Sequence, residues 1–141
     1  MNNWFIWALL SAFFAALTAV LAKVGVTDVN PNLATAIRTT VVLVLTWALA
    51  FATSGKADWS ALTHRAWIFL AASGLMTGLS WLCYFRALKL GDVSKVAPVD
   101  KLSAAIAIIL AVVFLGERLK TQEAIGAALI VLGVLVMVIK L

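Results

Sequence analysis

The stretch WFIWALLSAFFAALTAVLA, residues 4–22, decides the fold because no charged side chain interrupts it. An α-helix rises about 1.5 Å per residue, so about 20 residues cross the roughly 30 Å hydrocarbon core of a bilayer. A helix that is apolar on every face has no side to turn towards water. We therefore predict that residues 4–22 form a transmembrane helix.

Four further stretches of similar length and composition follow this first one. Polar residues, glycines and prolines separate them, and residues 53–58 are predicted to be a polar loop. Ser94 and Thr121 are predicted to cap the N-termini of the last two helices. The sequence thus predicts an all-α transmembrane bundle of five helices, which forms a single domain over residues 1–141. These helices are expected at about residues 4–22, 32–52, 66–88, 94–115 and 122–139.

The composition argues against a soluble domain. Of the 141 residues, 65% are hydrophobic and 12% are charged, whereas soluble domains have about 45–50% and about 25%. A folded chain of this size still exposes much of its side-chain surface, so we expect membrane lipid as a partner. The net charge of +5 comes from basic residues that flank the apolar stretches. Because no basic patch with interleaved aromatic residues is present, we expect no nucleic acid partner.

Lysine and arginine residues beside the spans largely set the orientation of a membrane protein. With five spans, four flanking basic residues fall on the N-terminal side and five on the opposite side, so neither orientation is favoured. We expect insertion in both orientations, which permits an antiparallel homodimer with the symmetry of inverted repeats. A fixed orientation set by one dominant helix is the alternative. The N-terminal side has Lys56, Arg65, Arg118 and Lys120, and the opposite side has Lys23, Arg86, Lys89, Lys95 and Lys140.

Charged residues deep within the spans need a partner or water, because each costs a few kcal/mol on insertion scales. Arg38, Asp100 and Lys101 are the candidates. Arg38 and Asp100 both lie roughly 10 Å from the same membrane face at 1.5 Å per residue, which permits an ion pair if their helices are neighbours. Asp100 is the candidate coupling residue, because a carboxylate in a low-dielectric site exchanges protons near physiological pH.

Trp81 and Tyr84 approach the same membrane face at the end of the third helix. Together with the three charged residues, they are predicted to line one vestibule. Such a set suits a small polar or zwitterionic solute, or an amphipathic solute whose apolar part stacks on a ring. The alternative is structural: an Arg38–Asp100 salt bridge that fixes helix packing, with Lys101 extending to the lipid headgroups.

Catalytic patterns do not stand out in the sequence. The one histidine, His64, has no metal partners at a ligand spacing, and no nucleophile–base pair or phosphate-binding loop is evident. We therefore predict no enzyme activity, no metal site and no cofactor. The GxxxG stretch at residues 74–78 permits close approach of another helix, either within the chain or at a dimer seam.

Three stretches of the second half resemble the EamA domains of the drug/metabolite transporter superfamily. Residues 84–98, YFRALKLGDVSKVAP, are similar to the junction between helices three and four of that domain. Residues 114–119, FLGERL, resemble the turn after helix four, and residues 126–133, GAALIVLG, resemble the closing helix. Helix number and length extend the resemblance over the whole chain.

The resemblance implies a transporter that works by alternating access with its substrate near the membrane midplane. Most EamA proteins have ten helices in two inverted domains, whereas this chain is similar to the short members with one domain. Residues 100–103, DKLS, also resemble that short subgroup, which adds Ser103 to the candidate residues. Glu117 and Arg118 are implied to serve structure or gating rather than substrate contact.

We therefore expect a multi-pass secondary transporter of a small metabolite or drug-like solute in a bacterial inner membrane. It is expected to be an exporter and to act as an antiparallel homodimer. The alternative is an accessory subunit that does not transport and pairs with another EamA-like chain. The residues predicted to bind substrate or couple transport are Asp100, Arg38, Lys101, Tyr84, Trp81 and Ser103.

Overall fold

A computed structural model describes residues 4–139 of the chain. Within this range every regular element is helical, and five helical stretches are long and apolar enough to cross a membrane. The predicted all-α transmembrane bundle is thereby confirmed. The elements are α1 (Trp4–Val26), α2 (Pro31–Thr53), α3 (Lys56–Ser60), α4 (His64–Leu90), α5 (Val93–Asp100), α6 (Leu102–Leu110), a π-helical turn (Ala111–Leu115) and α7 (Thr121–Val138).

The short helix α3 lies largely in the stretch predicted to be a loop. The Asp58 carboxylate accepts a hydrogen bond of 2.7 Å from the Gly55 N–H, which stabilises the start of the turn. The Trp59 ring stacks on Trp47 of α2, with the ring centroids 6.0 Å apart. Both contacts join residues across a turn. A hydropathy pattern does not contain such contacts, so this stretch was predicted to be a loop.

Helix α2 begins as its sequence suggests, but two predicted caps are wrong. The Asn30 side chain accepts a hydrogen bond from the Asn32 N–H at 2.9 Å, and Pro31 occupies the first helical position. Helix α5 begins after Asp92 rather than at Ser94, and α7 begins after Lys120. The Glu123 carboxylate accepts the Lys120 N–H at 2.8 Å, so a glutamate in the first turn stabilises this terminus instead of a hydroxyl cap at Thr121.

The fourth span, Val93–Leu115, is interrupted at Lys101. Pro98 has no N–H to donate to the carbonyl one turn earlier, which weakens the helix at that point. The Lys101 N–H instead bonds to the Pro98 carbonyl at 3.0 Å, a tighter spacing of three residues. Asp100 and Lys101 therefore lie at a break in a transmembrane helix.

The chain divides into two compact units, a first that ends at Leu90 and a second that begins at Gly91. In the first unit α4 packs against both α1 and α2, and in the second α7 packs against α5 and α6. Few side chains are buried in either unit, because the apolar surface of a membrane helix can face lipid. The buried residues are Ala19, Val26, Thr35, Phe85 and Leu88 in the first unit, and Ala105 and Val134 in the second.

The two glycines of the GxxxG stretch have open space beside them in the described part of the first unit. A Cβ atom built on Gly74 or Gly78 would meet nothing there within 4 Å. Close packing of these two glycines against another helix of the first unit is therefore not what the structure shows, and the dimer seam stays a prediction.

Two lysines tie the ends of α1 and α4 together. The Lys23 Nζ donates to the Leu88 carbonyl at 2.6 Å, and the Lys89 Nζ donates to the Val29 carbonyl at 2.9 Å. Leu88 lies in the last turn of α4, where carbonyls lack intrahelical partners and have a partial negative charge, so the Lys23 contact satisfies that helix end. Val29 lies in the connection between α1 and α2, so the Lys89 contact fixes the chain just after α1. This reciprocal pair, the lysine clasp, fixes the ends of two parallel helices.

Lys23→Met is expected to lower the free energy of unfolding by about 1–2 kcal/mol, because a charge-assisted hydrogen bond is worth roughly 1.5–3 kcal/mol and methionine keeps the side-chain volume. Lys95→Met is the matched control, since Lys95 forms only an exposed ion pair with Asp92 at 3.8 Å, and such pairs contribute about 0–1 kcal/mol. Unfolding of both variants in detergent measures the difference. Equal losses would contradict the clasp.

Candidate functional site

Arg38 of α2 lies against the aromatic side chains of α4. Its Cζ is 4.1 Å from the centroid of the Trp81 ring and 5.6 Å from that of Phe85. Phe85 is buried, and Arg38 and Trp81 are half-buried. A cation over an aromatic face gains about 0.5–1 kcal/mol when exposed and about 2 kcal/mol or more when water is excluded. The half-buried setting of Arg38 therefore strengthens its contact with α4.

Tyr84 completes the group of predicted residues in the first unit. It follows Trp81 by three positions, so both side chains lie on one side of α4. Tyr84 is within electrostatic reach of Arg38, and its ring meets the edge of Phe85 at a centroid distance of 6.5 Å. The structure thus places Arg38, Trp81 and Tyr84 together, and their role in substrate binding stays a prediction.

A cavity of about 380 Å³ lies beside Arg38, within the range of roughly 300–1,000 Å³ that is usual for ligand sites. Helices α1, α2 and α4 and the residue Val29 all contribute to its wall. Among the lining residues, only Arg38 and Thr18 have polar side chains. The cavity is lined by Thr18, Leu21, Ala22, Gly25, Val29, Ala34, Ile37, Arg38 and Phe85.

Arg38 has no acidic partner in its own unit. Among the described residues of the first unit, no carboxylate oxygen comes within 4.0 Å of its guanidinium. An arginine inside a span costs up to about 2.5–3.5 kcal/mol on insertion scales, the largest cost being at the centre, and the ring contacts offset part of that cost. An ionisable residue within a span is a candidate functional residue for this reason.

The other three predicted residues lie in the second unit, at the break in the fourth span. The Lys101 Nζ is 3.4 Å from the Asp100 Oδ2, with 61% of the lysine side chain and 37% of the aspartate side chain exposed. Ser103 is exposed in the first turn of α6. Discontinuous helices position binding groups in several transporter folds. The predicted Arg38–Asp100 ion pair would join the two units and stays a prediction.

Phe85 and the wall formed by α1 were missed by reasoning from sequence. Thr18, Ala22 and Gly25 follow one another at intervals of four and three residues, which places them on one face of α1. Small residues at that spacing were the available signal. Small apolar residues are common in membrane helices, and α1 has no charged residue before Lys23, so its sequence gives no sign of a polar site.

The turn after the fourth span contains a glycine with a positive φ angle. Gly116 has a φ of 67°, the left-handed conformation that side chains disfavour, and it ends the π-helical turn. Glu117 and Arg118 follow it and line a second cavity of about 440 Å³ together with Glu123. The implied structural or gating role of Glu117 and Arg118 stays a prediction.

Comparison with known proteins shows a match over almost the whole chain. Residues 2–139 match the EamA-like transporter family. A Sinorhizobium protein described as an uncharacterized transporter in the cobO 3' region is 53% identical over 138 residues, 98% of both chains. The uncharacterized transporter YxxF of Bacillus subtilis is 30% identical over 135 residues, which are 94% of this chain but 42% of that protein. No solved structure matches the chain significantly.

Arg38→Met is expected to change the free energy of unfolding by less than about 1 kcal/mol, because losing the ring contacts is offset by removing a charge from the span. Arg65→Met is the matched control, since Arg65 also faces a ring, that of Phe69 at 5.8 Å, but outside the cavity. Thermal unfolding in detergent measures both. A loss of about 3–5 kcal/mol for Arg38→Met would show instead that Arg38 belongs to a structural ion pair.

Proposed function

The chain belongs to the EamA-like transporter family, and we propose that it is a secondary transporter of a small metabolite or drug-like solute that acts as an antiparallel homodimer by alternating access. It is a multi-pass membrane protein with five spans in its described residues. The bacterial origin of the relatives supports location in a bacterial inner membrane. We further propose that it exports its solute.

The cavity beside Arg38 is the observation that carries this proposal. A half-buried cation at the edge of an apolar space of about 380 Å³ is a binding site for a small solute and contributes little as a structural element. Catalysis of acyl, phosphoryl or proton transfer would need a general base or a nucleophile activated by one, and neither the guanidinium of Arg38 nor the hydroxyl of Thr18 supplies a base. The arrangement supports transport rather than an enzymatic reaction.

The homodimer is supported by the lengths of the relatives. The Sinorhizobium protein has the same length as this chain within a few per cent, and its name also describes a transporter. YxxF leaves more than half of its length outside the match, which is room for a second unit of this size. A second copy of the short chain would supply a second unit of the kind for which the longer relative has room in one polypeptide.

Antiparallel pairing is supported by the even distribution of basic residues on the two sides of the spans. Orientation follows the side with more lysine and arginine, so a near-balanced chain inserts both ways. The glycines at 74 and 78 leave a face of α4 without close neighbours in the described chain. Small residues of this kind suit helix contact between two copies in lipid.

A reporter fused to the C-terminus is expected to give signal on both sides of the membrane in cells that express this chain alone. Adding two positive charges to one side, in the variant Ser54→Arg/Ala61→Arg, should shift the signal to a single side. The matched control Ser54→Gln/Ala61→Gln should remain mixed. A one-sided signal from the unmodified chain would remove the antiparallel homodimer.

Asp100→Asn is expected to abolish transport driven by a pH gradient, because asparagine occupies the same volume at the break in the fourth span but cannot exchange a proton. Proteoliposomes holding the purified chain alone, loaded with a bacterial metabolite extract, would be assayed for released solutes by mass spectrometry. Asp92→Asn is the matched control, since Asp92 is 74% exposed at the start of α5.

Two outcomes of this assay would contradict the proposal in different ways. Unchanged pH-driven release from Asp100→Asn would exclude the coupling role of Asp100. No release from the unmodified chain, followed by release after a second EamA-like chain is added, would identify an accessory subunit rather than a self-sufficient transporter.

A further inference from the structure

We propose that the cavity beside Arg38 binds an organic anion with a flat apolar body, the anionic group at the guanidinium and the body along the aliphatic wall. This assigns a solute class to the site and rests on the proposed function only for transport, because binding can be measured without it. The inference follows from the charge, the donors and the shape of the cavity.

The charge of the cavity lining selects against cations. Arg38 is the one charged residue among its lining residues, and no carboxylate of the described first unit approaches its guanidinium within 4.0 Å. A cationic solute would bring a second positive charge into a space of low dielectric constant, where like charges repel far more strongly than in water. An anion would supply the counter-charge that Arg38 lacks in its own unit.

The donors of Arg38 are available to such an anion. The Arg38 Cζ lies 4.1 Å from the centroid of the Trp81 ring, and a cation–π contact of this kind does not require the N–H groups of the guanidinium as hydrogen-bond donors to oxygen. Within the described residues of the first unit, the Arg38 side chain donates no hydrogen bond. A planar set of donors matches the two oxygens of a carboxylate or the oxygens of a phosphate.

The remaining wall suits a flat apolar group. Ala22, Gly25 and Ala34 have the smallest side chains in the lining, and a Cβ atom built on Gly25 would meet nothing within 4 Å. Phe85 offers a buried ring on the α4 side. Thr18 adds a hydroxyl that, within the described residues, does not bond to the carbonyl one turn earlier, unlike Thr35 and Thr39.

Two sources offer this chemistry, a water-soluble aromatic acid and an anionic phospholipid. Both present an anionic group on an apolar body, so both would satisfy Arg38 and the aliphatic wall. The experiment therefore measures one soluble probe in membranes with and without an anionic lipid.

The test is binding of radiolabelled 1-naphthylacetate to the full chain in nanodiscs of phosphatidylcholine. Saturable binding is expected. The neutral 1-naphthylacetamide and the cationic 1-naphthylmethylamine should compete at least about 10-fold more weakly, because neither supplies the charge-assisted contact. Arg38→Gln should weaken naphthylacetate binding by about 10-fold or more, and the matched control Arg65→Gln should leave it unchanged.

A second variant separates occupancy of the cavity from the integrity of the fold. Ala34→Trp keeps Arg38 and fills the space beside it, so it should also abolish binding of the probe. Loss of probe binding when phosphatidylglycerol replaces phosphatidylcholine would identify a lipid headgroup as the anion, and unchanged binding would identify a free solute. Both results support an anion site.

Three results would overturn the inference: no saturable binding of naphthylacetate to the unmodified chain, equal binding of the amine, or unchanged binding in Arg38→Gln. These outcomes are separable from failure of the proposed function. Release of solutes from proteoliposomes without naphthylacetate binding keeps the transporter and removes the anion site. Binding without release of any solute keeps the anion site and removes the transporter.

Discussion

The bilayer as solvent is the constraint on which the rest of this structure depends. In each of the five spans, only about 6% of the most apolar stretch is buried within the protein, so burial away from water is supplied mainly by lipid or another copy. Lipid offers no hydrogen bonds, and each backbone N–H and C=O must find its partner within a helix. The helices are therefore formed before they pack, and packing inside each unit determines only which helices are neighbours.

Polar side chains follow the same requirement, and Arg38 departs from it. The hydroxyls of Thr35, Thr39 and Thr46 each donate to the carbonyl one turn earlier at 2.8 Å, so these residues are satisfied without a partner helix. Lys23 donates to a carbonyl in the last turn of α4, and Lys89 donates to a carbonyl in the connection after α1. Arg38 instead lies on an indole ring beside a cavity, where its donors have no acceptor among the described residues of its own unit. Under the binding role proposed for Arg38, stability and function make opposite demands at this one position.

The spans were predictable because the property that defines them is local. The uncharged stretch of residues 4–22 determines a helix whatever the rest of the chain does, and the same holds for the other spans. The interruption at Lys101 was not predicted, because Pro98 was expected in the first turn, where its missing N–H costs little, and the break depends on which carbonyl the Lys101 N–H reaches. The cavity was not predictable, because it requires α1, α2 and α4 to meet at particular registers. Arg38 was found from its charge alone, whereas Phe85 and Thr18 have no unusual chemistry until neighbouring helices surround them.

Symmetry gives the proposed homodimer a property that a single inverted polypeptide lacks. Two identical copies in opposite orientations are related by a two-fold axis in the membrane plane. Exchanging the copies turns a state open to one side into the state open to the other, so without ligands or gradients the two states must have equal free energy. A ligand that binds both states equally shifts neither population. Directional export must then come from the gradient that drives the cycle, since the protein itself cannot favour one side. In the proposed homodimer, vectorial work therefore needs a gradient to couple to, and the coupling role proposed for Asp100 would supply this coupling through a proton.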